Sequence, residues 1–209
     1  VIKPPVWSVH DAPFNRTIYE TRSTYSPRWF DHATNTYVQG TGTARQQDSH
    51  VTDTGSMILV RERNLILFLD KRGTADATPG ILRIKWLDIS AAQPSWTNAT
   101  ATLSQNLNLP DGWSAACWCG DAQGRTGRVL VAGVTGDNTA VYEITIPSNL
   151  ASTWTVERAP FGAGQTLDCP VNTTYGKWDY NPKTKCIVFV GLVGAPGNHD
   201  IKVYTPRGT

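Results

Sequence analysis

An internal repeat of about sixty residues constrains the fold of this chain more than any other feature of its sequence. The segment Trp7–Phe14 matches the segment Trp154–Phe161 at five of eight positions. A second match pairs Arg28–Asp31 with Lys85–Asp88, and each of these segments is followed by a turn and a short aromatic stretch. One aromatic residue of each unit is therefore expected to occupy a shared structural position: Trp7, Tyr37, Trp96 and Trp154.

Each unit contains four segments with the composition of β-strands, separated by turns. The first turn is short and polar, as in Arg61–Asn64, and the strand after it is apolar throughout, as in Leu65–Leu69. A continuous apolar strand is typical of one that is covered on both faces. The third strand alternates, and the fourth carries the aromatic residue. We therefore expect each unit to be a sheet of four antiparallel strands. The sheets should stack on one another, because neighbouring sheets bury faces that one sheet cannot bury alone.

The spacing of the aromatic residues predicts three full units and one partial unit within a single domain, residues 1–209. The approximate bounds are 1–48 for the partial unit and 49–103, 104–160 and 161–209 for the full units, with the N-terminal residues 1–12 closing the last one. Two alternatives to this closure stay open. Residues before Val1 could supply the missing strands, or two chains could pair.

The third strand has an aliphatic-acidic-aliphatic pattern, and a turn with Trp-Thr follows it. The residues concerned are Trp86–Ile89 with Trp96–Thr97, and Tyr142–Thr145 with Trp154–Thr155. This pattern resembles kelch repeats and the β-propellers of the galactose-oxidase type. The resemblance implies an all-β fold of kelch-like β-propeller blades with four antiparallel strands each. It extends to phage structural proteins and exported bacterial proteins, which implies a location outside the cell or on a virion surface.

The amino-acid composition of the chain makes some classes of binding partner unexpected. The net charge is only +2 and the 19 basic residues are scattered, so nucleic acid is not an expected partner. No apolar run approaches the length of a spanning helix, and we expect no membrane insertion. The four cysteines suit small buried side chains in a β core, with one or two disulfides as the alternative. They are Cys117, Cys119, Cys169 and Cys186.

Longer loops are expected at one end of the sheets, where strands 2 and 3 and successive units are joined, and such loops are where binding residues usually lie. Carboxylate and amide groups bond sugar hydroxyls, and an indole stacks on a sugar ring. The candidate ligand contacts are Asp76, Asp111, Trp113, Asp137, Asn138, Asn172, Asn198 and His199. The alternative is that the Asp and Asn residues are turn formers. The recurring Trp residues are expected to pack the sheets instead.

We expect neither a metal nor a cofactor, because the four histidines are dispersed and no nucleophile elbow is present. The sequence therefore predicts a non-enzymatic recognition or assembly module. It would bind a glycan or a protein partner through the long-loop face, as a homo-oligomer or within a larger assembly. The alternative function is a glycosidase-like enzyme whose carboxylate pair comes from different blades.

Overall fold

A computed structural model describes most of the chain. It covers residues 5–21, 24–44, 56–72, 80–97, 99–110, 116–120, 127–160, 178–181, 183–184, 186–192 and 199–205. These residues form an all-β structure of antiparallel sheets, and their only helical segments are two 3-10 helices of three residues each, Ala12–Phe14 and Arg61–Arg63. The all-β class expected from the repeat is confirmed.

The strands form four sheets in chain order. Sheet 1 contains β1 (Pro5–Asp11), β2 (Arg16–Thr21), β3 (Thr24–Asp31) and β4 (Thr36–Gln39). Sheet 2 contains β5 (Ser56–Val60), β6 (Leu65–Arg72), β7 (Gly80–Asp88) and β8 (Ser95–Trp96), and β9 (Asn108–Leu109) also pairs with β7. Sheet 3 contains β10 (Ala116–Cys119), β11 (Arg128–Val131), β12 (Ala140–Thr145) and β13 (Thr155–Pro160). Sheet 4 contains β14 (Trp178–Asn181), β15 (Cys186–Leu192) and β16 (His199–Tyr204).

The partial unit expected at the N-terminus is instead a complete four-stranded sheet. Sheet 1 runs β1-β2-β3-β4, with each strand antiparallel to the next. Among the described residues β1 pairs with β2 and not with sheet 4, so the expectation that the N-terminal strand closes the C-terminal unit is wrong. The expected count of three full units and one remnant is therefore replaced by four sheets, the last with three described strands.

The sequence match between Trp7 and Trp154 equated two residues that occupy different strand positions in their sheets. Trp7 lies in the first strand of sheet 1, whereas Trp154 directly precedes the fourth strand of sheet 3. Trp154 and Trp96 also occupy different register positions. Trp96 pairs with Leu87 in β7, and the residue at the corresponding position of sheet 3 is Val156, not Trp154. Tyr37 and Trp96 do share a position, since Tyr37 pairs with Phe30 as Trp96 pairs with Leu87.

The first five residues of β6, Leu65–Leu69, are covered on both faces, as their uninterrupted apolar sequence predicts. Leu65, Leu67 and Leu69 contribute to one core cluster with residues of sheet 3. Ile66 and Phe68 contribute to a second cluster with residues of sheet 1. We call the face of a sheet that packs against the preceding sheet its leading face, and the opposite face its trailing face.

The described tryptophan side chains that were expected to pack the sheets do so. Trp29 on the trailing face of sheet 1 and Trp96 on the leading face of sheet 2 lie in one cluster, 5% and 4% exposed. Trp86 of sheet 2 stacks on Trp154 of sheet 3, with ring centroids 6.0 Å apart. The side chain of Trp7 lies outside the described residues. Indole rings thus fill the space between successive sheets.

The first strands of successive sheets are neighbours. Strand β1 contacts β5, β5 contacts β10, and β10 contacts β14. Sheet 4 also joins sheet 3 through the Tyr204 hydroxyl, which donates to Glu143 over 3.2 Å. The sheets therefore follow one another in space in the order of the chain.

Two arginines tie the hairpin of one sheet to the end of the third strand of the next. Arg16 donates to the carbonyl oxygens of Ile89, Ala91 and Ala92, at 2.9–3.1 Å, and its Nε donates to Asp11 over 2.7 Å. Arg63 donates to the carbonyl oxygens of Ile146 and Pro147, at 3.1 and 2.7 Å. These directional bonds fix how neighbouring sheets sit on one another, which apolar packing alone does not do.

Two of the three described cysteines agree with the expectation of small buried side chains, and Cys186 is only partly buried. Cys117 and Cys119 are buried in the larger core cluster, and neither they nor Cys186 form a disulfide. Cys169 lies outside the described residues. Within the described ranges, no helix is long and apolar enough to cross a membrane.

We predict that Arg16→Met lowers the free energy of unfolding by about 3–5 kcal/mol, because it leaves the Asp11 carboxylate buried without its cation. Arg63→Met should cost about 1–3 kcal/mol, since it removes only bonds to carbonyl oxygens. The double variant Arg16→Met with Asp11→Leu should recover part of the loss. Chemical denaturation measures all three, and equal losses for the two single variants would contradict the assignment.

Candidate functional site

The predicted long-loop contacts fall mostly outside the described residues. This holds for Asp76, Asp111, Trp113, Asn172 and Asn198. His199 begins β16, but its side chain is not described. Asp137 and Asn138 are described, and they lie in the connection between β11 and β12. These two residues are the part of the predicted surface whose placement is known.

Asp137 is the centre of a hydrogen-bonded cluster within its own sheet. Arg158 of β13 donates Nε to Oδ2 over 2.6 Å and Nη2 to Oδ1 over 3.0 Å. The Tyr142 hydroxyl donates to Oδ2 over 2.7 Å, and both the backbone and the hydroxyl of Thr139 donate to Oδ1. Both carboxylate oxygens are engaged, so Asp137 fastens its loop to the sheet instead of presenting a carboxylate to a ligand.

The same cluster determines the charge of Asp137. The Arg158 guanidinium, helped by the Tyr142 and Thr139 hydroxyls, holds the pKa of this carboxyl well below its usual range, against the opposing effect of burial. Burial and the neighbouring carboxylate raise the pKa of Tyr142. Asp137 is therefore ionised at neutral pH.

Asn138 directly follows the tight turn, Thr135–Gly136, that brings Val134 and Asp137 together. The Asp137 backbone donates to the Val134 carbonyl over 3.0 Å, and Gly136 has a φ of +80°. Asn138 itself is exposed. It remains accessible to a ligand, whereas Asp137 has the role of a turn former, the alternative weighed from the sequence.

A cleft lies at the opposite end of the sheets, between the first hairpin of sheet 1 and that of sheet 2. Its volume is about 120 Å³. Its polar lining residues are His10, Asp11, Arg61 and Asn64, and its apolar lining residues are Pro13, Leu59 and Ile89. A concave site with apolar walls and a few convergent polar groups is the usual form of a small-ligand site.

The local fold positions these polar groups. Each hairpin contains a 3-10 turn that ends at an asparagine in the left-handed conformation, Asn15 with φ 46° and Asn64 with φ 53°. Asparagine tolerates this conformation better than most residues. Arg61 opens the second turn and is exposed. The two turns therefore face each other across the cleft with Asn64 and Arg61 on one side.

The cleft combines a buried acid with an available cation. Asp11 is 3% exposed, and Oδ2 is held by Arg16, but Oδ1 accepts no hydrogen bond from the described residues. The guanidinium of Arg61 likewise has no hydrogen-bond partner in the described part of the chain. Since Arg16 neutralises Asp11, Arg61 leaves the cleft with an excess of positive charge. It can bind a carboxylate, with a hydroxyl acceptor close by.

Sequence reasoning placed function at the long loops and treated Arg61–Asn64 only as a turn. A signal was present, because two arginines and a glutamate interrupt two strongly apolar strands. Glu62 accepts a hydrogen bond from the Trp118 indole over 2.9 Å, and Arg63 binds sheet 3. Of the turn's charged residues, Arg61 is the one that the sheet contacts do not use.

No three His, Cys, Asp or Glu side chains within the described ranges are grouped as metal ligands. Comparison with family models gave no match, and neither curated proteins nor solved structures matched the chain.

We predict that Asp137→Asn lowers the free energy of unfolding at pH 7 by about 1–2 kcal/mol, because it weakens hydrogen bonds from a partly exposed arginine. The folded pKa of Asp137 is depressed, so its contribution is complete above the unfolded pKa, about 4, and is lost as pH falls further. Denaturation of both proteins between pH 7 and 3 should show the difference shrinking below pH about 4. Asn138→Ala is the control, and an Asp137 effect independent of pH would contradict this assignment.

Proposed function

We propose that the four sheets are the blades of a β-propeller-type domain, as the resemblance to kelch repeats implies. Three observations support this arrangement. Each sheet is an antiparallel run of strands in chain order. The first strands β1, β5, β10 and β14 are successive neighbours, as strands around a common axis would be. Both faces of sheet 2 are covered by adjacent sheets, and stacked blades bury their faces in this way.

Within this architecture, we propose that the chain is a non-enzymatic recognition module that binds an acidic sugar of a glycan. The observation that carries the proposal is the cleft between sheets 1 and 2, where Arg61 has an unused guanidinium beside the buried Asp11. Arg61 would bind the sugar carboxylate through its planar fork. Asp11 Oδ1 would accept a ring hydroxyl, and Pro13 and Leu59 would contact the apolar C–H face.

Recognition accounts for the described acids better than glycoside hydrolysis does. A glycosidase needs one carboxyl that is protonated and a second one within several ångströms. Three partly or fully buried acids are each paired with an arginine: Asp11 with Arg16, Asp137 with Arg158, and Glu143 with Arg128. Arg158 holds the pKa of Asp137 well below its usual range, so this carboxyl is a poor proton donor.

We predict that glucuronate binds the protein at least tenfold more tightly than glucose, which has a neutral group in place of the carboxylate. Arg61→Ala should raise the Kd for glucuronate at least tenfold, since a hydrogen bond to a charged group is lost. Asn64→Gly should also weaken binding, while glycine keeps the left-handed turn. Titration calorimetry or ligand-detected NMR measures these affinities.

Two matched control variants distinguish a loss of binding at the cleft from general effects of removing a charge or changing a turn residue. Lys183→Ala removes a cation from the corresponding hairpin turn of sheet 4, and Asn15→Gly changes the equivalent left-handed residue of sheet 1. Both variants should retain the affinity for glucuronate. Equal affinity for glucose and glucuronate, or unchanged binding in Arg61→Ala, would exclude the cleft as an acidic-sugar site.

A further inference from the structure

We propose that the leading face of sheet 1 binds the trailing face of sheet 4 of a second copy of this chain. Sheet 1 has no preceding sheet among the described residues, and its leading face carries Thr17, Tyr19, Phe30 and Tyr37, which share a face because their registers coincide. The corresponding face of sheet 2 is covered by sheet 1 itself. The packing between sheets 1 and 2 therefore indicates what kind of surface should cover the leading face of sheet 1.

The two leading faces have the same aromatic geometry. Tyr19 and Tyr37 pack edge to face in sheet 1, with ring centroids 6.1 Å apart and planes at 90°. Phe68 and Trp96 occupy the equivalent register positions in sheet 2, with centroids 6.4 Å apart and planes at 82°. Their exposure is opposite, since Trp96 is 4% exposed and Tyr37 is 63% exposed. Sheet 1 therefore has a face with the pattern of a packed one, and no described sheet covers it.

The side chains on the leading face of sheet 1 suit a surface that contacts water in the free chain and is buried in a complex. Thr17 stands where sheet 2 has Ile66, Tyr19 where it has Phe68, and Tyr37 where it has Trp96. Each replacement adds a hydroxyl while keeping much of the side-chain volume, and Tyr is a favoured interface residue for this reason.

Sheet 4 presents the complementary exposed face. Tyr204 lies on its leading face, where it packs against the core cluster shared with sheet 3 and bonds Glu143. The next residue along the strand, Val203, points to the trailing face, pairs in register with Val188, and is 60% exposed. Among the described residues, Tyr37 and Val203 are the two most exposed large hydrophobic side chains. They lie on the two faces that no described sheet covers.

An unsatisfied donor also marks the face of sheet 1. Arg28 lies in the same row as Tyr19 and Gln39, and its Nη2 donates to Gln39 over 3.4 Å. Its Nε is buried without a hydrogen-bond partner in the described structure. A buried donor of this kind costs stability, because no described group replaces the hydrogen bond that water would make to it.

A second copy fits both faces at once. In the single chain Tyr37 and Val203 are both exposed, so neither side chain is covered by another sheet of the same chain. When two copies associate head to tail, each contributes one leading and one trailing face, and the contact is repeated twice. The result is a ring of eight sheets, which lies within the range of four to eight blades found in propellers.

The test measures molar mass by light scattering or sedimentation across a range of concentrations. The wild-type chain should have twice the 22.9 kDa mass of one chain. Tyr37→Asp and Val203→Asp should each raise the dimer dissociation constant at least a hundredfold, because each places a carboxylate in a buried apolar contact. Ile81→Asp, at a residue that is 39% exposed on sheet 2, is the control and should remain dimeric. Thermal unfolding checks that all variants are folded.

Mixing the two interface variants gives the sharper result. A pair of one Tyr37→Asp chain and one Val203→Asp chain has both substitutions at one contact and an unaltered contact at the other. The mixture should therefore regain a dimer that neither variant forms alone. A wild-type monomer at every concentration, a dimer insensitive to both substitutions, or the absence of rescue on mixing would each overturn the proposal. None of these outcomes depends on sugar binding in the cleft.

Discussion

The burial of strand β6 on both faces is the constraint on which the rest of the structure depends. Leu65, Leu67 and Leu69 need one covering sheet, and Ile66 and Phe68 need another. An isolated sheet with this strand at its centre would expose large apolar areas to water on one side or the other. The sheets are therefore stable only as a stack, and sheets 1 and 4 each have a face that no described sheet covers.

Apolar packing brings the sheets together, and a small number of arginines determine how they fit. The Arg16 guanidinium binds three carbonyl oxygens of sheet 2 while lying 4.4 Å from the Phe14 ring centroid. Its planar arrangement of donors is satisfied only when those carbonyl groups are in one position. Asp11 is buried because it balances this cation. The acid at the base of the cleft is thus a consequence of how sheets 1 and 2 are joined.

Much of the fold could be predicted from the repeat, and the errors have physical causes. Polar turns between apolar strands identified the hairpins, and the indole rings of Trp29 and Trp96 were correctly assigned to packing. The match of Trp7 with Trp154 misled because alternation and a Trp-x-Val pattern suit a first strand as well as a fourth. A local pattern does not encode which neighbour a strand pairs with.

The candidate site was harder to predict than the fold. Asp137 was chosen because it lies in a loop, but its partners Tyr142 and Arg158 are 5 and 21 residues away, and only the sheet register brings them to it. Arg61 was missed because it is one of three charged residues in a short turn. Its neighbours Glu62 and Arg63 bind sheet 3, and nothing in the sequence distinguishes the one charged residue of the turn that is left available.

The cleft and the leading face of sheet 1 share one residue, His10, near the end of β1. His10 lines the cleft, and its position in β1 is opposite Thr17, on the row of the leading face. Its ring also contacts that of His32, 5.5 Å away, which in turn contacts Phe30. A sheet that docks on Phe30 and His32 would therefore restrict the ring of His10 on the leading face.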